Sequence, residues 1–264
     1  MKIVRTIAEL RGTLVGEVGL VPTMGALHDG HRALFDTARA ENDVVVASLF
    51  LNPAQFDEQA DLAAYPRDEQ RDAQLAEDCS VDVLFAPSGD EMYPAGYSTW
   101  VDVGDTGAEG AARPGHFRAV ATVCLKLFNI VGPRHAYFGQ KDAQQVNVIR
   151  GMVRDLNLDV QIRVVPTVRD QDGLALSSRN TRLSQEERAK ALALPRALAK
   201  AAETYAQGGD AVAAAWAELN GLTPEYVELV ELGAASGAAS VLAAAVRVGS
   251  VRLIDNVLLK GELT

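Results

Sequence analysis

Cysteine is scarce: Cys79 and Cys124 are the two such residues in 264, too few and too unpatterned for a disulfide framework or a cysteine-built zinc site. Long apolar runs are missing as well. No stretch approaches the roughly 20 consecutive apolar residues that a bilayer-spanning helix needs, and the opening Met1-Lys2-Ile3-Val4-Arg5 has no signal-like apolar core. A cytoplasmic chain with no membrane partner is expected. Basic charge is in deficit, with 25 Lys and Arg against 35 Asp and Glu and a formal net charge of −10. That balance excludes broad nucleic-acid or anionic-membrane binding while leaving room for a local basic pocket. The four histidines, His28, His31, His116 and His135, lack the cysteine or carboxylate grouping of a zinc site. No repeat or long disordered tail stands out.

Hydrophobic residues make up 48% of the chain, ample for a sizeable core, and the length exceeds one average domain. One large and one small domain are expected. Val18 to Val21, Val44 to Leu51, Val81 to Ala86, His135 to Phe138 and Val160 to Val165 read as strands. Helical patterns lie between them at about Gly30 to Ala40, Gln59 to Asp78, Phe117 to Val131 and Asp142 to Leu156. Cys124 falls on the apolar face of the third with Val120, Val123, Leu127 and Val131, which makes it a packed core thiol; Cys79 is read as structural too. This alternation predicts a parallel α/β sheet whose ligand loops gather at the carboxyl ends of the strands. Beyond about Leu183 the texture turns to alanine-rich helical segments, broken at Gln207-Gly208-Gly209-Asp210, with strand-like runs at Tyr226 to Glu231 and Val251 to Ile254. A smaller α+β domain is expected there, giving domains 1–182 and 183–264.

The most informative stretch is Val21-Pro22-Thr23-Met24-Gly25-Ala26-Leu27-His28-Asp29-Gly30-His31, where an apolar strand gives way to a helix. The first N–H groups of a helix have no intrahelical partner and, with the helix dipole, favour an anion. Glycines let backbone approach that anion, and two imidazoles three residues apart can donate to phosphate oxygens. By itself a His-x-Gly-His pattern is equally a turn with two surface histidines. Asn52-Pro53-Ala54-Gln55-Phe56 ends another strand with two amides that can orient a hydroxyl or carboxylate; taken alone, it reads first as turn stabilisation. Gly139-Gln140-Lys141-Asp142-Ala143-Gln144-Gln145 puts a compact positive charge at the ligand edge. Asp142 there is expected to cap the following helix, with orientation of Lys141 or contact with a hydrated metal as alternatives. Asp172-Gly173 followed by Ser177-Ser178-Arg179-Asn180 combines a turn, hydroxyls and a guanidinium, which suits a triphosphate clasp or a joint between domains. Arg113-Pro114-Gly115-His116-Phe117 offers a guanidinium and an imidazole whose chemistry stays open, and the charged run Tyr65 to Asp72 reads as a solvated helical face.

In their order along the chain these motifs resemble the pantoate-beta-alanine ligase family, a branch of the nucleotidyltransferase-like group bearing His-x-Gly-His. The terminal Arg252-Leu253-Ile254-Asp255-Asn256 extends the likeness through nearly the whole chain. The resemblance implies a Rossmann-like parallel-sheet nucleotide-binding domain, a smaller α+β C-terminal domain that closes over the site, and a homodimer. It implies that ATP and (R)-pantoate form pantoyl adenylate with release of diphosphate, that beta-alanine then yields pantothenate and AMP, and that Mg2+ accompanies ATP through ligands the motifs leave unknown. Carried onto matching positions, Met24, Gly25, Ala26, Leu27, His28, Asp29, Gly30, His31, Gly139, Gln140, Lys141, Asp142, Val168, Leu176, Ser177, Ser178 and Arg179 form the ATP site. Gln55 and Gln145 bind pantoate. His28 and His31 contact phosphate, His31 also donating a proton, while Lys141 and Arg179 stabilise charge during attack on the α-phosphorus. Gln140 stands where glutamate is common in the family, Leu176 where methionine is frequent, and Thr181-Arg182 where an aromatic often follows. Two rival readings are a nucleotidyltransferase whose product keeps the nucleotide and an ATP-binding protein without turnover. The pairing of Gln55 with Gln145 and the motif order favour the ligase.

Overall fold

In the computed structural model of the chain, residues 1–56, 59–104, 107–219, 221–232 and 239–262 are described. The strands are β1 (Lys2–Val4), β2 (Val18–Thr23), β3 (Val44–Leu49), β4 (Val83–Phe85), β5 (His135–Gly139), β6 (Gln161–Val165), β7 (Thr223–Leu232), β8 (Ala239–Val248) and β9 (Val251–Lys260). The helices are α1 (Ile7–Arg11), α2 (Asp29–Glu41), α3 (Gln59–Ala64), α4 (Glu69–Asp78), α5 (Gly89–Met92), α6 (Gly107–Ala112), α7 (His116–Val131), α8 (Ala143–Asp155), α9 (Gln185–Ala191), α10 (Ala193–Ala206) and α11 (Ala211–Glu218).

The first six strands form one sheet in the order β1-β4-β3-β2-β5-β6, and every pairing in it is parallel. Side chains on a strand alternate between faces, and the two cores follow that alternation. Leu20, Val46, Val83, Phe85 and Phe138 join α1, α7 and α8 through Leu10, Phe117, Val120 and Ile149. Val21, Val45, Ala47, Leu84 and Tyr137 pack the opposite face against Leu34, Phe35 and Ala38 of α2 and Ala76 of α4. With both faces covered, β2 to β5 are apolar on nearly every residue, as buried parallel strands require, while the edge strand β6 keeps Gln161 and Arg163 exposed. Strand order reverses between β2 and β5, so the crevice for a ligand lies past the carboxyl ends of these two strands.

The helix expected over Gln59 to Asp78 is two helices. Pro66 has no N–H to continue the ladder and biases Tyr65 away from helical backbone, and Asp68 restarts the chain as the N-cap of α4, accepting from the Arg71 N–H at 3.0 Å. The short edge strand β1 has no counterpart among the expected strands.

After β6 the chain builds a three-stranded antiparallel sheet, β7-β8-β9. One face carries Leu242, Ala244, Val246, Val251 and Leu253 against Leu194 and Leu198 of α10 and Ala215 of α11. The other face meets the parallel-sheet half, where Val241 and Leu258 pack with Ala143 at the start of α8. Strand β8 was not among the expected strands. Its Ala-Ala-Ala centre carries helix-forming residues, but Ala243, Ala244 and Ala245 are buried between two layers, and packing overrides propensity.

Candidate active site

The turn that leaves β2 is held from below by a carboxylate. Gly25 and Ala26 both have positive φ, 86° and 52°, and the Asp72 carboxylate of α4 accepts from the Ala26 and Leu27 N–H groups at 2.8 and 2.7 Å. Asp72 is 2% exposed, so the run read as a solvated face contains a buried anchor. Leu27 goes into the core, and the turn delivers His28 to the N-cap of α2.

His28 Nδ1 accepts from the Gly30 N–H at 3.1 Å, and His31 Nδ1 accepts from the His28 N–H at 3.2 Å. With each Nδ1 an acceptor, each neutral ring carries its proton on Nε2. The ring centroids lie 4.2 Å apart, and both rings line a cavity of about 230 Å³. Gly30 is required by this contact: a Cβ there would sit 2.8 Å from the His28 ring. Burial and then the nearby Lys141 ammonium push His28 down to about 4; burial, His28 and Lys141 hold His31 well below the usual imidazole range. Before any anion binds, both rings are therefore neutral donors at pH 7.

A second, larger cavity of about 780 Å³ adjoins the first, and Met24, Gln55, Lys141, Asp142, Gln145, Ser177 and Arg179 line both. The smaller one is completed by Gly30, Gly139, Val168, Leu176 and Ser178. The structure thus brings together residues from four loops at the strand-order reversal. Gly25, Ala26, Leu27, Asp29 and Gln140 are not in either lining. The first three form the turn, Asp29 is exposed and 3.5 Å from Arg32, and Gln140 Nε2 donates to Asn256 Oδ1 at 3.4 Å.

Asn52 and Gln55 are 1% and 7% exposed. Asn52 Nδ2 donates to Gln55 Oε1 at 2.9 Å, while its Oδ1 accepts from the Ala54 N–H. The asparagine is therefore the turn stabiliser, and it orients the glutamine. Arg113 and His116 hold the same turn: the Gln55 carbonyl accepts from Arg113 at 2.8 Å and lies 3.1 Å from His116 Nδ1. The open chemistry of that motif resolves into support for Gln55.

Lys141 Nζ lies 3.7 Å from the Asp142 carboxylate. The expected capping by Asp142 is not made: it occupies the N-cap position of α8 without a side-chain hydrogen bond. A 3-10 turn over Gln140–Asp142 runs straight into the helix, and Asp142 faces the cavities instead. Arg179 is ion-paired. Asp61 of α3 accepts from Arg179 at 2.8 Å and from Arg182 at 2.7 Å, and the Arg179 guanidinium lies 5.8 Å from the Tyr65 ring centroid. Burial alone would raise Asp61; the two arginines hold it below the usual carboxylate range.

Sequence reasoning missed the polar wall of the larger cavity. Glu109 of α6, 5% exposed, accepts from Arg252 through both oxygens at 2.9 and 2.7 Å and from Tyr226 at 2.9 Å. Burial opposes its charge, but Arg252 and Tyr226 hold it ionised. Arg252 also donates to Glu225 at 2.7 Å. Cys124 is buried as expected, and burial pushes its thiol up to about 12. Among the described residues no cluster of three His, Cys, Asp or Glu forms a metal cage, and no helix is long and apolar enough to cross a membrane.

The arrangement can hold a polyanion against neutral imidazole donors and two cations, with paired glutamines beside it. Residues 2–258 match the family model described as pantoate-beta-alanine ligase. A pantothenate synthetase of Chloroflexus aggregans is 52% identical over 276 residues, covering 98% of this chain and all of the relative. That of Rhizobium rhizogenes is 50% identical, with 97% and 95% covered. The crystal structure of pantothenate synthetase from Thermus thermophilus superposes with a TM-score of 0.92 at 47% identity, covering 98% of this chain and 100% of that one. A pantoate-beta-alanine ligase from Francisella tularensis, complexed with beta-gamma ATP and beta-alanine, superposes with a TM-score of 0.84 at 36% identity and 98% coverage of both chains. The chain belongs to the pantoate-beta-alanine ligase family.

Proposed function

We propose that the chain condenses (R)-pantoate with beta-alanine at the expense of ATP, through pantoyl adenylate, and that the two adjoining cavities are its active site. The observation that carries this reading is the convergence of the His28 and His31 rings, Lys141 and Arg179 with Gln55 and Gln145 at one strand-order reversal. A pantoate carboxylate oxygen attacks the α-phosphorus and diphosphate leaves. The amine of beta-alanine then attacks the acyl carbon, loses a proton and expels AMP. Activation replaces a poor leaving group by AMP, and enclosure protects the adenylate from water. No covalent enzyme intermediate is needed.

His28 and His31, neutral before any anion binds, donate Nε2–H to phosphate oxygens, and His31 also donates a proton once the bound triphosphate raises its affinity for one. Lys141 and Arg179 stabilise the charge that grows on the α-phosphate. Arg179 exchanges Asp61 for phosphate when ATP enters. Gln55, with its oxygen fixed by Asn52, and Gln145 orient pantoate so that its carboxylate meets phosphorus. Met24, His28, Gly30, His31, Gly139, Lys141, Asp142, Val168 and Leu176 through Arg179 line the ATP site, and Gly25, Ala26, Leu27, Asp29 and Gln140 complete the loops that carry them. Asp142, which lines both cavities, is the carboxylate that would help hold Mg2+ beside the triphosphate, where the ion would offset phosphate charge. Residues 1–182 carry ATP and pantoate, residues 183–264 close over them, and the active form is a cytoplasmic homodimer.

The test is formation of AMP and pantothenate from ATP, Mg2+, (R)-pantoate and beta-alanine, with each omitted in turn. Equimolar products that require every component support the reading. A folded protein that binds ATP and makes neither product overturns it.

A further inference from the structure

Residues 252, 254, 256 and 258 of β9 share the face turned toward the parallel-sheet half, since strand side chains alternate. Arg252 on that face reaches Glu109, and Leu258 packs with Ala143. Between them, Asn256, 3% exposed, sends its Nδ2 to two consecutive carbonyls, those of Gln140 and Lys141, each at 2.9 Å. Its Oδ1 accepts from Gln140 Nε2 at 3.4 Å, and its backbone N–H donates to Asp255 Oδ1 at 2.8 Å. Asp255 in turn holds Arg169 through both oxygens at 2.6 and 3.1 Å. The side chain of Asn256 is thus held by the Gln140–Lys141 turn, and its backbone by Asp255.

A primary amide has two N–H bonds on one nitrogen, so it can satisfy two adjacent carbonyls at once; a hydroxyl offers one and a carboxylate none. The carbonyls belong to the 3-10 turn over Gln140–Asp142, a conformation with poorer internal hydrogen-bond geometry than the α-helix it leads into. Fixing the peptide planes on the carbonyl side of residues 140 and 141 fixes the Cα–Cβ direction of Lys141, from which its ammonium reaches both cavities.

The geometry points to Asn256 as a positioning residue: from the C-terminal sheet it sets the backbone of Lys141, so that the ammonium meets the reacting phosphate. This inference rests on the role proposed above for Lys141. Asn256 borders the larger cavity, but its side chain is engaged by the Gln140–Lys141 turn, so its effect is expected to pass through Lys141.

A double-mutant cycle in single-turnover adenylation tests it, with KM for ATP and thermal unfolding measured on each variant. Lys141→Ala is expected to slow adenylation by about 10²- to 10³-fold. Asn256→Ala is expected to lower the rate by roughly 10- to 100-fold, the scale of an ångström-size misplacement, with KM for ATP moving less than about 3-fold. In the Lys141→Ala background the same substitution is expected to cost less than about 3-fold, because the group it positions is gone. Should Asn256→Ala unfold below the assay temperature, Asn256→Ser, which keeps one donor for the carbonyls, runs the same cycle with a smaller expected loss. Equal losses in both backgrounds overturn the inference and leave the Lys141 role standing. A Lys141→Ala variant of near-normal rate overturns the Lys141 role, and the inference with it.

Discussion

His28 and His31 show how two residues of one type acquire a fixed tautomer from backbone alone, each Nδ1 taking a neighbouring N–H. Their burial as neutral rings has a cost that depends on pH. The unfolded chain protonates His28 below about pH 6.5, whereas the folded protein does so only near 4. The unfolded state binds more protons in that window, so stability falls as pH falls from about 6.5 toward 4. For His28 alone the loss is on the order of 2 kcal/mol at pH 5. Denaturant unfolding of the ATP-free protein at pH 7 and pH 5 is expected to show this loss, and His28→Gln is expected to diminish it. An equal pH dependence in the variant would contradict the assignment. The histidine pair was legible in the sequence because its spacing and its place at a strand-to-helix turn are local. The carboxylates around the site, Asp72, Glu109 and Asp61, were not, since each acts on residues far along the chain or from a charged run that reads as solvated surface.

At the scale of elements, the break between α3 and α4 matters more than either helix. Pro66 ends one and lets Asp68 start the other, which brings Asp72 beneath the Gly25–Leu27 turn. Asp72→Ala would leave the Ala26 and Leu27 N–H groups buried without an acceptor, at a cost of about 2–3 kcal/mol. Amide exchange at those two residues is expected to accelerate sharply while the β3 amides stay protected, and KM for ATP is expected to rise. Unchanged exchange at Ala26 would count against this anchor. The parallel strands β2 to β5 were readable because both their faces are apolar, β6 because Ile162, Val164 and Val165 outweigh the exposed Gln161 and Arg163, and α2, α7 and α8 because their stripes face that sheet. The Pro66 break was available in the sequence but was overridden by the charge periodicity around it. Strand β8 was not readable, since Ala243-Ala244-Ala245 becomes strand only through the layers that bury it.

Across the whole molecule, β9 is where the two halves meet, through Arg252 on Glu109, Asp255 on Arg169 and Asn256 on the Lys141 turn. Glu109 carries the clearest energetic consequence because its side chain is 7% exposed. Arg252→Ala removes the two-oxygen partner and leaves that charge to Arg113 at 3.6 Å and Tyr226, and it is expected to destabilise the protein by up to about 3 kcal/mol. The pair Arg252→Ala with Glu109→Ala is expected to recover part of the loss in denaturant titration; a double variant as unstable as the sum of the singles would contradict the coupling. Such contacts between halves lie beyond sequence periodicity, which is why the Arg252-to-Asn256 segment carried a family likeness but no assigned role. Formation of pantoyl adenylate at the proposed site is tested most directly by oxygen tracing. Pantoate labelled with 18O in its carboxylate is turned over with ATP, Mg2+ and beta-alanine, and the AMP is weighed by mass spectrometry. Transfer of a single labelled oxygen to AMP for each pantothenate formed is the expected result. AMP without label, beside pantothenate formed at the same rate, would contradict attack of the pantoate carboxylate on the α-phosphorus.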